Sequence, residues 1–393
     1  MRIAVNAYML LESQSAHGRY LTQLLQALGM IDGVNDYRLL SPQPIDDRPP
    51  TPSTFVWESV MVNAPNDQLR RVRWEQRSFP DAAKRLDAKM LFVPYFAPTW
   101  ASSLPLVTVV HDLLPFALPD YRPLSGESFY QRVVLTKGAQ RATLIMTRSE
   151  FTKSEVIRLL AVPAERIAVV PDAPASHFRP VSDTLRLRTT RTKYGVSERF
   201  LLYVGGFEAR KNVPMLIGAF AAAAHRIGEQ GLQLLIVGDP APLGSGPLYP
   251  DWRPLARKFG IEGRVVSAML DESDLPALYS MTSGFVYPSL YEGHGLPVIE
   301  AMACGAPVIV SDQPALSEAV GSAGLTFVLT KGGEASVQSA MRSLTNQITR
   351  LMTLPEMRED YRQRSLARVN QYSWAQTAGE VSTLFAEVTG SMT

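Results

Sequence analysis

Two glutamates stand with seven residues between them in PSLYEGHGLPVIEAMACGAPVIVSD, the segment from Pro288 to Asp312. A carboxylate accepts two hydrogen bonds at once, so Glu292 and Glu300 facing one space would suit the vicinal hydroxyls of a ribose or hexose. A strand ends near Tyr287, and a loop carries Glu292, Gly293 and Gly295. Pro297 then opens a helix that closes at Gly305. Proline fits the first helical turn, where its missing N–H costs nothing, and glycine fits just past the end. Such a helix points a partial positive charge into whatever the loop encloses, and anions bind there readily. The plainer alternative is that Glu300 complements the helix dipole and Glu292 is merely solvated.

A second segment, LLYVGGFEARKNVPMLIGAF, runs from Leu201 to Phe220. An apolar strand ends at Gly205 and Gly206, and Arg210, Lys211 and Asn212 follow at the mouth of the next helix. A diphosphate needs close backbone approach, which glycine permits, and cationic donors, which Arg210 and Lys211 supply. His111 follows an apolar strand directly in LVTVVHD. In parallel sheets ligands bind beyond the carboxyl ends of strands, which would aim His111 at a cleft; a structural histidine is the alternative. In SAHGRY, Gly18 and Arg19 open a helix, a weaker signal.

The elements that must position these groups alternate in type. Strands are expected at Ile3–Ala7, 90–93, 107–110 and 144–147, then at 200–204, 234–237, 264–267, 284–287 and 307–310, with helical spacing such as Gly18–Leu28 between them. This is an α/β chain of two doubly wound parallel sheets. With 393 residues it exceeds one ordinary core. The join falls in the proline-rich VVPDAPASHFRPV, giving domains over 1–175 and 176–371 and a helical segment over 372–393.

Composition narrows the class. With 46% hydrophobic and 19% charged residues the chain reads as a globular enzyme, and a net charge of +2 without a basic tract argues against nucleic acid. Cys304 is the only cysteine, so no intramolecular disulfide forms. The first residues read as a buried strand rather than a signal peptide, and no apolar run is long enough to span a membrane. Together these point to a cytoplasmic protein.

These residues resemble the retaining family-4 glycosyltransferases of the two-domain GT-B fold, whose Rossmann-like domains face each other across a cleft. EGHGLPVIEAMACGAPVIVSD is similar to that family's paired-glutamate signature, VGGFEARKN to its diphosphate loop and VVHD to its N-domain histidine. TRSEFTKSEVIRLLAVPAERIAVVPDAP and the closing YSWAQTA extend the likeness over most of the chain. The resemblance implies that Glu300 binds the nucleotide ribose and Glu292 the donor sugar, while Lys211 with Arg210 holds the diphosphate. Gly205, Gly206, Gly293, His294, Gly295 and Leu296 complete the donor-binding set. His111 would meet the transferred sugar near its reacting carbon, and Gly18, Arg19 and Ser149 would lie on the acceptor side. RRVRWEQRSFPDAAKRLDAKMLFVPYFAP is similar to bacterial mannosyltransferases of cell-surface polysaccharide synthesis such as O-antigen, implying GDP-mannose as donor and a saccharide or lipid-linked saccharide as acceptor. Two positions depart from the family pattern: Gly206 stands where many members carry arginine, and Ala16 where many carry glycine.

Rival readings are an epimerase or α-glucan phosphorylase of the same architecture and an inactive sugar-nucleotide-binding partner. A nicotinamide dehydrogenase fits less well, because no G-x-G-x-x-G follows the first strand. With no Asp-x-Asp triplet in the sequence, the expectation is a metal-free, cofactor-free site in which fixed cations neutralise the leaving diphosphate. Arg70, Arg71, Arg73, Trp74, Arg77 and Phe79 are expected to share one basic and aromatic face suited to peripheral contact with an anionic membrane.

Overall fold

The computed structural model describes the chain except for Asp47, Ala101, Leu270 and residues 122–129, 229–230, 330–332 and 391–393. The last of these ranges places the end of the expected C-terminal segment outside the described residues. Two compact units are present: residues 1–173 with 372–393, and residues 174–371.

The first unit is built on seven parallel strands: β1 (Arg2–Asn6), β2 (Asp36–Ser41), β3 (Phe55–Ser59), β4 (Met90–Val93), β5 (Leu106–Val110), β6 (Leu144–Thr147) and β7 (Ile167–Val169). Their order is β3-β2-β1-β4-β5-β6-β7. The central strands β4 and β5 are buried along their whole length, as parallel strands covered on both faces must be, and so read as continuous apolar runs. β2 and β3 lie toward one edge, half-buried, as DYRLLS and FVWES. Their polar interruptions are why the sequence did not announce them.

The second unit carries six parallel strands: β8 (Phe200–Val204), β9 (Gln233–Val237), β10 (Val265–Ala268), β11 (Gly284–Tyr287), β12 (Val308–Ser311) and β13 (Leu325–Phe327). Their order is β10-β9-β8-β11-β12-β13, so the winding reverses between β8 and β11. Ligands of open α/β sheets bind at such a reversal, beyond the strand carboxyl ends. Both lysine-arginine and glutamate segments leave the sheet there.

Two expectations about local structure change. The helix expected from Gly18 begins at Ala16 and runs to Ile31, because the Ser15 hydroxyl caps it by accepting the Gly18 N–H at 3.0 Å. Gly18 has another reason to be glycine: a Cβ there would lie 2.4 Å from the Glu12 carbonyl oxygen. The expected basic and aromatic face is also overturned. Trp74 and Phe79 are fully buried, 5.6 Å apart between ring centres, while Arg77 is exposed. Trp74 is drawn inward where its Nε1 donates to Asn6 Oδ1 at 2.9 Å, and the π-helical turn Trp74–Ser78 inserts an extra residue into the repeat, which shifts Phe79 out of phase with the arginines before it.

The helix Trp374–Gly390 returns to the first unit. Phe385 meets Phe92 at 5.0 Å between ring centres, and Thr377 donates a hydrogen bond to the Pro171 carbonyl at 2.7 Å. Phe385→Ala removes a fully buried ring from this junction. It is expected to cost about 3–5 kcal/mol of stability, seen in chemical denaturation as an earlier transition of the first unit; an unchanged midpoint would show that the helix contributes little.

Candidate active site

Lys211 ends a short 3-10 turn at Ala209–Lys211 that follows the Gly205–Gly206 bend, and its side chain is folded inward, 7% exposed. Its Nζ donates to Glu292 Oε1 at 2.7 Å and to the Tyr287 hydroxyl at 2.5 Å. Arg210 reaches the same carboxylate oxygen through Nη1 at 3.0 Å and the Tyr291 carbonyl at 3.1 Å. Ser289 Oγ donates to that oxygen too, at 2.6 Å. Segments expected from sequence to share a ligand therefore meet at one carboxylate oxygen, bringing two cations against one anion. Burial pushes the Glu292 carboxyl up, but the charges of Lys211 and Arg210 and the hydrogen bonds of Lys211 and Ser289 outweigh it and hold the pKa below its ordinary value.

The backbone is tied as firmly. The Leu290 N–H donates to the Arg210 carbonyl at 2.7 Å, and Gln313 donates through Nε2 to the Glu292 carbonyl at 3.1 Å. Gly295 caps the helix Leu296–Ala303 with φ at 88°, and a Cβ there would lie 2.6 Å from Leu316 Cδ2; only glycine fits. Neither this helix nor Val213–Ile227, which follows Lys211, has a side-chain cap at its N-terminus. Both ends stay available to an anion.

The remaining expected residues separate into groups. Gly293 and His294 are buried in the loop, and Leu296 is half-buried at the helix start. Glu300 lies along that helix, half-buried, near enough to Tyr279 and Cys304 for its charge to raise both their pKa values, though burial is the larger cause in each. Ser149 is buried and caps the helix Glu150–Leu160, accepting the Thr152 N–H at 3.1 Å. Arg19 is exposed and donates to the Gln14 carbonyl at 2.9 Å.

His111 sits in the first unit at the carboxyl end of β5, buried, with Nε2 3.0 Å from the Pro94 carbonyl oxygen. Its ring stands edge-on to His17 at 4.6 Å and Tyr20 at 4.7 Å between centres. Burial, then the charge of Arg148, depresses its pKa well below 6.5, so the ring is neutral. A carbonyl only accepts, so Nε2 carries the proton and Nδ1 keeps a lone pair. Arg148 itself pairs with buried Asp172 at 2.6 Å. Sequence reading missed Tyr287, Ser289 and Gln313 around Glu292, and His17, Arg148 and Asp172 around His111. Ser289 and Tyr287 lay within or beside the quoted glutamate segment; the others carried no signal of spacing.

Among the described residues no cluster of three or more His, Cys, Asp or Glu side chains is placed to hold a metal. No helix of the described residues is long and apolar enough to cross a membrane.

Comparison with known proteins bears on these units. Residues 17–173 match the family model described as Glycosyltransferase Family 4, and residues 189–368 match Glycosyl transferases group 1. O-antigen chain mannosyltransferase B of Escherichia coli is 32% identical over 275 residues, 68% of this chain and 66% of that protein. The serotype-specific mannosyltransferase WbdA of Escherichia coli is 27% identical over 277 residues, 69% of this chain but 32% of its own length. The chain thus spans just under two thirds of the first relative and a third of the second. Among solved structures, WaaG, a glycosyltransferase involved in lipopolysaccharide biosynthesis, superposes with a TM-score of 0.73 at 15% identity, covering 98% of this chain and 99% of that one. Anabaena Alr3699/HepE, solved in complex with UDP-glucose, gives 0.71 at 18% identity over 98% of this chain and 100% of its own.

The depressed Glu292 pKa fixes a sign. A carboxylate with a folded pKa below its unfolded value of 4.5 adds stability above that pH and loses it as pH falls through the folded value. Melting temperatures of wild type and Glu292→Gln, followed from pH 8 downward, are expected to differ by a constant amount until about pH 4.5 and to converge below it. A difference that grew on acidification would show that Glu292 is not held ionised.

Proposed function

The chain belongs to the family-4 glycosyltransferases of the GT-B fold, and from that premise we propose that it is a retaining mannosyltransferase. It takes mannose from GDP-mannose to a saccharide or lipid-linked saccharide acceptor during polysaccharide synthesis. The observation that carries this reading is the convergence of Lys211, Arg210 and Glu292 where the second sheet reverses its winding. The mannosyl donor and the polysaccharide context are supported by the likeness to the O-antigen mannosyltransferase.

In this reading Lys211 and Arg210 take the diphosphate, Glu292 the donor sugar and Glu300 the nucleotide ribose. As the bond from the sugar carbon to the phosphate oxygen breaks, negative charge gathers on the diphosphate. Two preorganised cations and two uncapped helix ends stabilise it without rearrangement. The acceptor oxygen attacks the same face of the sugar, and its proton passes to the departing phosphate oxygen. His111, neutral with a free Nδ1 lone pair, is assigned to accept a hydroxyl of the transferred sugar rather than to donate a proton. Peripheral contact with an anionic membrane remains part of the proposal. It rests on the exposed Arg73, Leu69 and Met61, because Arg70 pairs with Asp67, Arg77 lies on the π-helical turn and Trp74 and Phe79 are buried.

A panel of nucleotide sugars in thermal shift is expected to give the largest rise in melting temperature with GDP-mannose. Transfer is expected to persist in excess EDTA, and Lys211→Ala to lower turnover about 100-fold or more, the scale of losing one preorganised donor. Stabilisation by no nucleotide sugar would sink the reading. Activity abolished by EDTA and restored by magnesium or manganese would assign the charge to a metal.

A further inference from the structure

The first unit holds a cavity of about 970 Å³, at the large end of the ~300–1,000 Å³ usual for small-molecule sites. One of its walls is His17, whose ring packs on His111; another is Asp112, the next residue along the chain. The lining also holds a guanidinium fixed on several sides. Arg71 Nε donates to Glu75 Oε1 at 2.8 Å, and its charged carbon lies 5.4 Å from the centre of the Tyr8 ring and 5.6 Å from that of Tyr95. Glu75, 1% exposed, is held in turn by the Tyr130 hydroxyl, which donates to Oε2 at 2.5 Å.

This assembly depends on two irregular helices. Glu75 lies on the π-helical turn Trp74–Ser78 and Tyr130 opens another at Tyr130–Leu135. Such turns are rare and recur at functional sites, because they redirect side chains that a regular helix would carry elsewhere. Their product here is an arginine with its Nε spent and its two terminal amino groups bonded to no described residue, on a side chain 44% exposed that lines the cavity.

Charge decides what such a fork reads. Among the described residues of the wall, Asp67 is paired with Arg70 and Glu75 with Arg71, which leaves the Asp112 carboxylate as the surplus. His17 adds no positive charge, since burial and the charge of Arg148 lower its pKa to about 4. An anion would meet a net negative wall, whereas a neutral polyol finds donors on Arg71 and acceptors on Asp112. Phe96 and Phe116, edge to face at 6.0 Å between centres, add an apolar surface for the C–H face of a sugar ring.

We propose that this cavity is the subsite for a neutral hexose unit of the acceptor, with Arg71 as its specificity-determining residue, reading adjacent hydroxyls through its two terminal amino groups. Glu75 and Tyr130 are positioning residues that hold the fork. The proposal rests on the glycosyltransferase reading above and deepens it on the acceptor side.

The test uses the full chain without donor, so that it stands apart from that reading. Binding of methyl α-mannopyranoside, of methyl α-glucuronide and of inorganic phosphate is followed by ligand-observed NMR. The neutral mannoside is expected to bind most strongly, and Arg71→Lys, which keeps the charge beside Glu75 but loses the planar fork, to weaken it roughly tenfold. Phe116→Ala, remote from the ion pair, is expected to weaken it as well, which keeps the test informative should Arg71→Lys fold poorly. In transfer assays Arg71→Lys is expected to raise acceptor KM about tenfold with donor KM as the internal reference. Tighter binding of glucuronide or phosphate, lost in Arg71→Lys, would make this an anion site and overturn the proposal. Displacement of the mannoside by a short isoprenoid alcohol would assign the cavity to lipid and overturn it equally. Wild type that binds the mannoside but consumes no nucleotide sugar would instead refute the preceding section.

Discussion

One carboxylate oxygen organises the second unit. Glu292 Oε1 accepts from Lys211, Arg210 and Ser289 within 3.0 Å, inside a loop cluster that is largely shut off from water. Two cations side by side repel each other and lose hydration when buried. Glu292 makes their burial tolerable before any ligand arrives. Removing one partner from such a group leaves an uncompensated charge, which is why the cluster behaves as a unit and not as separate contacts. The rest of the unit serves this meeting. β8 and β11 must be neighbours for the Lys211 turn and the Glu292 loop to touch, and the reversed winding makes them so. Tyr287, the last residue of β11, closes the cluster from below, with the Lys211 ammonium 4.9 Å from its ring centre.

What could be read from the residues follows from how local each signal is. Gly295, Pro297 and Gly305 punctuate a single helix, and strands such as β5 and β8 announce themselves as unbroken apolar runs. The positions of Lys211 and Glu292 relative to those elements were therefore legible, as was the α/β class. Ser289, Tyr287 and Gln313 were not, because their role arises only when β8, β11 and the loop after β12 come together. β2 and β3 hid behind polar residues at a sheet edge, where one face need not be apolar. The misreading of Trp74 and Phe79 has a sharper cause. Helical spacing assigns faces only while the repeat is regular, and the π-helical turn at Trp74–Ser78 shifts the phase between the earlier arginines and Phe79; Trp74 was misread because its partner Asn6 lies on a strand distant in sequence.

Within the first unit, electrostatics takes a different form. Arg148 is neutralised by Asp172, Arg71 by Glu75, and His17 and His111 are driven to their uncharged forms by burial and by Arg148. Among the described residues no surplus cation lines the cavity. The second unit is built differently: Lys211 and Arg210 converge on one carboxylate oxygen of Glu292, with Glu208 3.9 Å from Arg210 as a looser second partner.

In the proposed reading this contrast suits what glycosyl transfer demands of its two partners. A leaving diphosphate gains negative charge and is best met by fixed positive groups already in place, the part that the proposed function gives to Lys211 and Arg210. The sugar ring gains positive charge as its bond breaks, and an extra cation near it would oppose the reaction. A neutral imidazole with a lone pair opposes nothing, and it can steady a hydroxyl through Nδ1. The Pro94 carbonyl fixes the His111 tautomer, and burial, helped by the Arg148 guanidinium, keeps the ring unprotonated, so the state that the proposed function asks of His111 is set by groups around it. Asp172 completes the arrangement: it anchors the Arg148 guanidinium at 2.6 Å, and because its own charge would raise the His111 pKa, burial and Arg148 must together outweigh it for the ring to stay neutral.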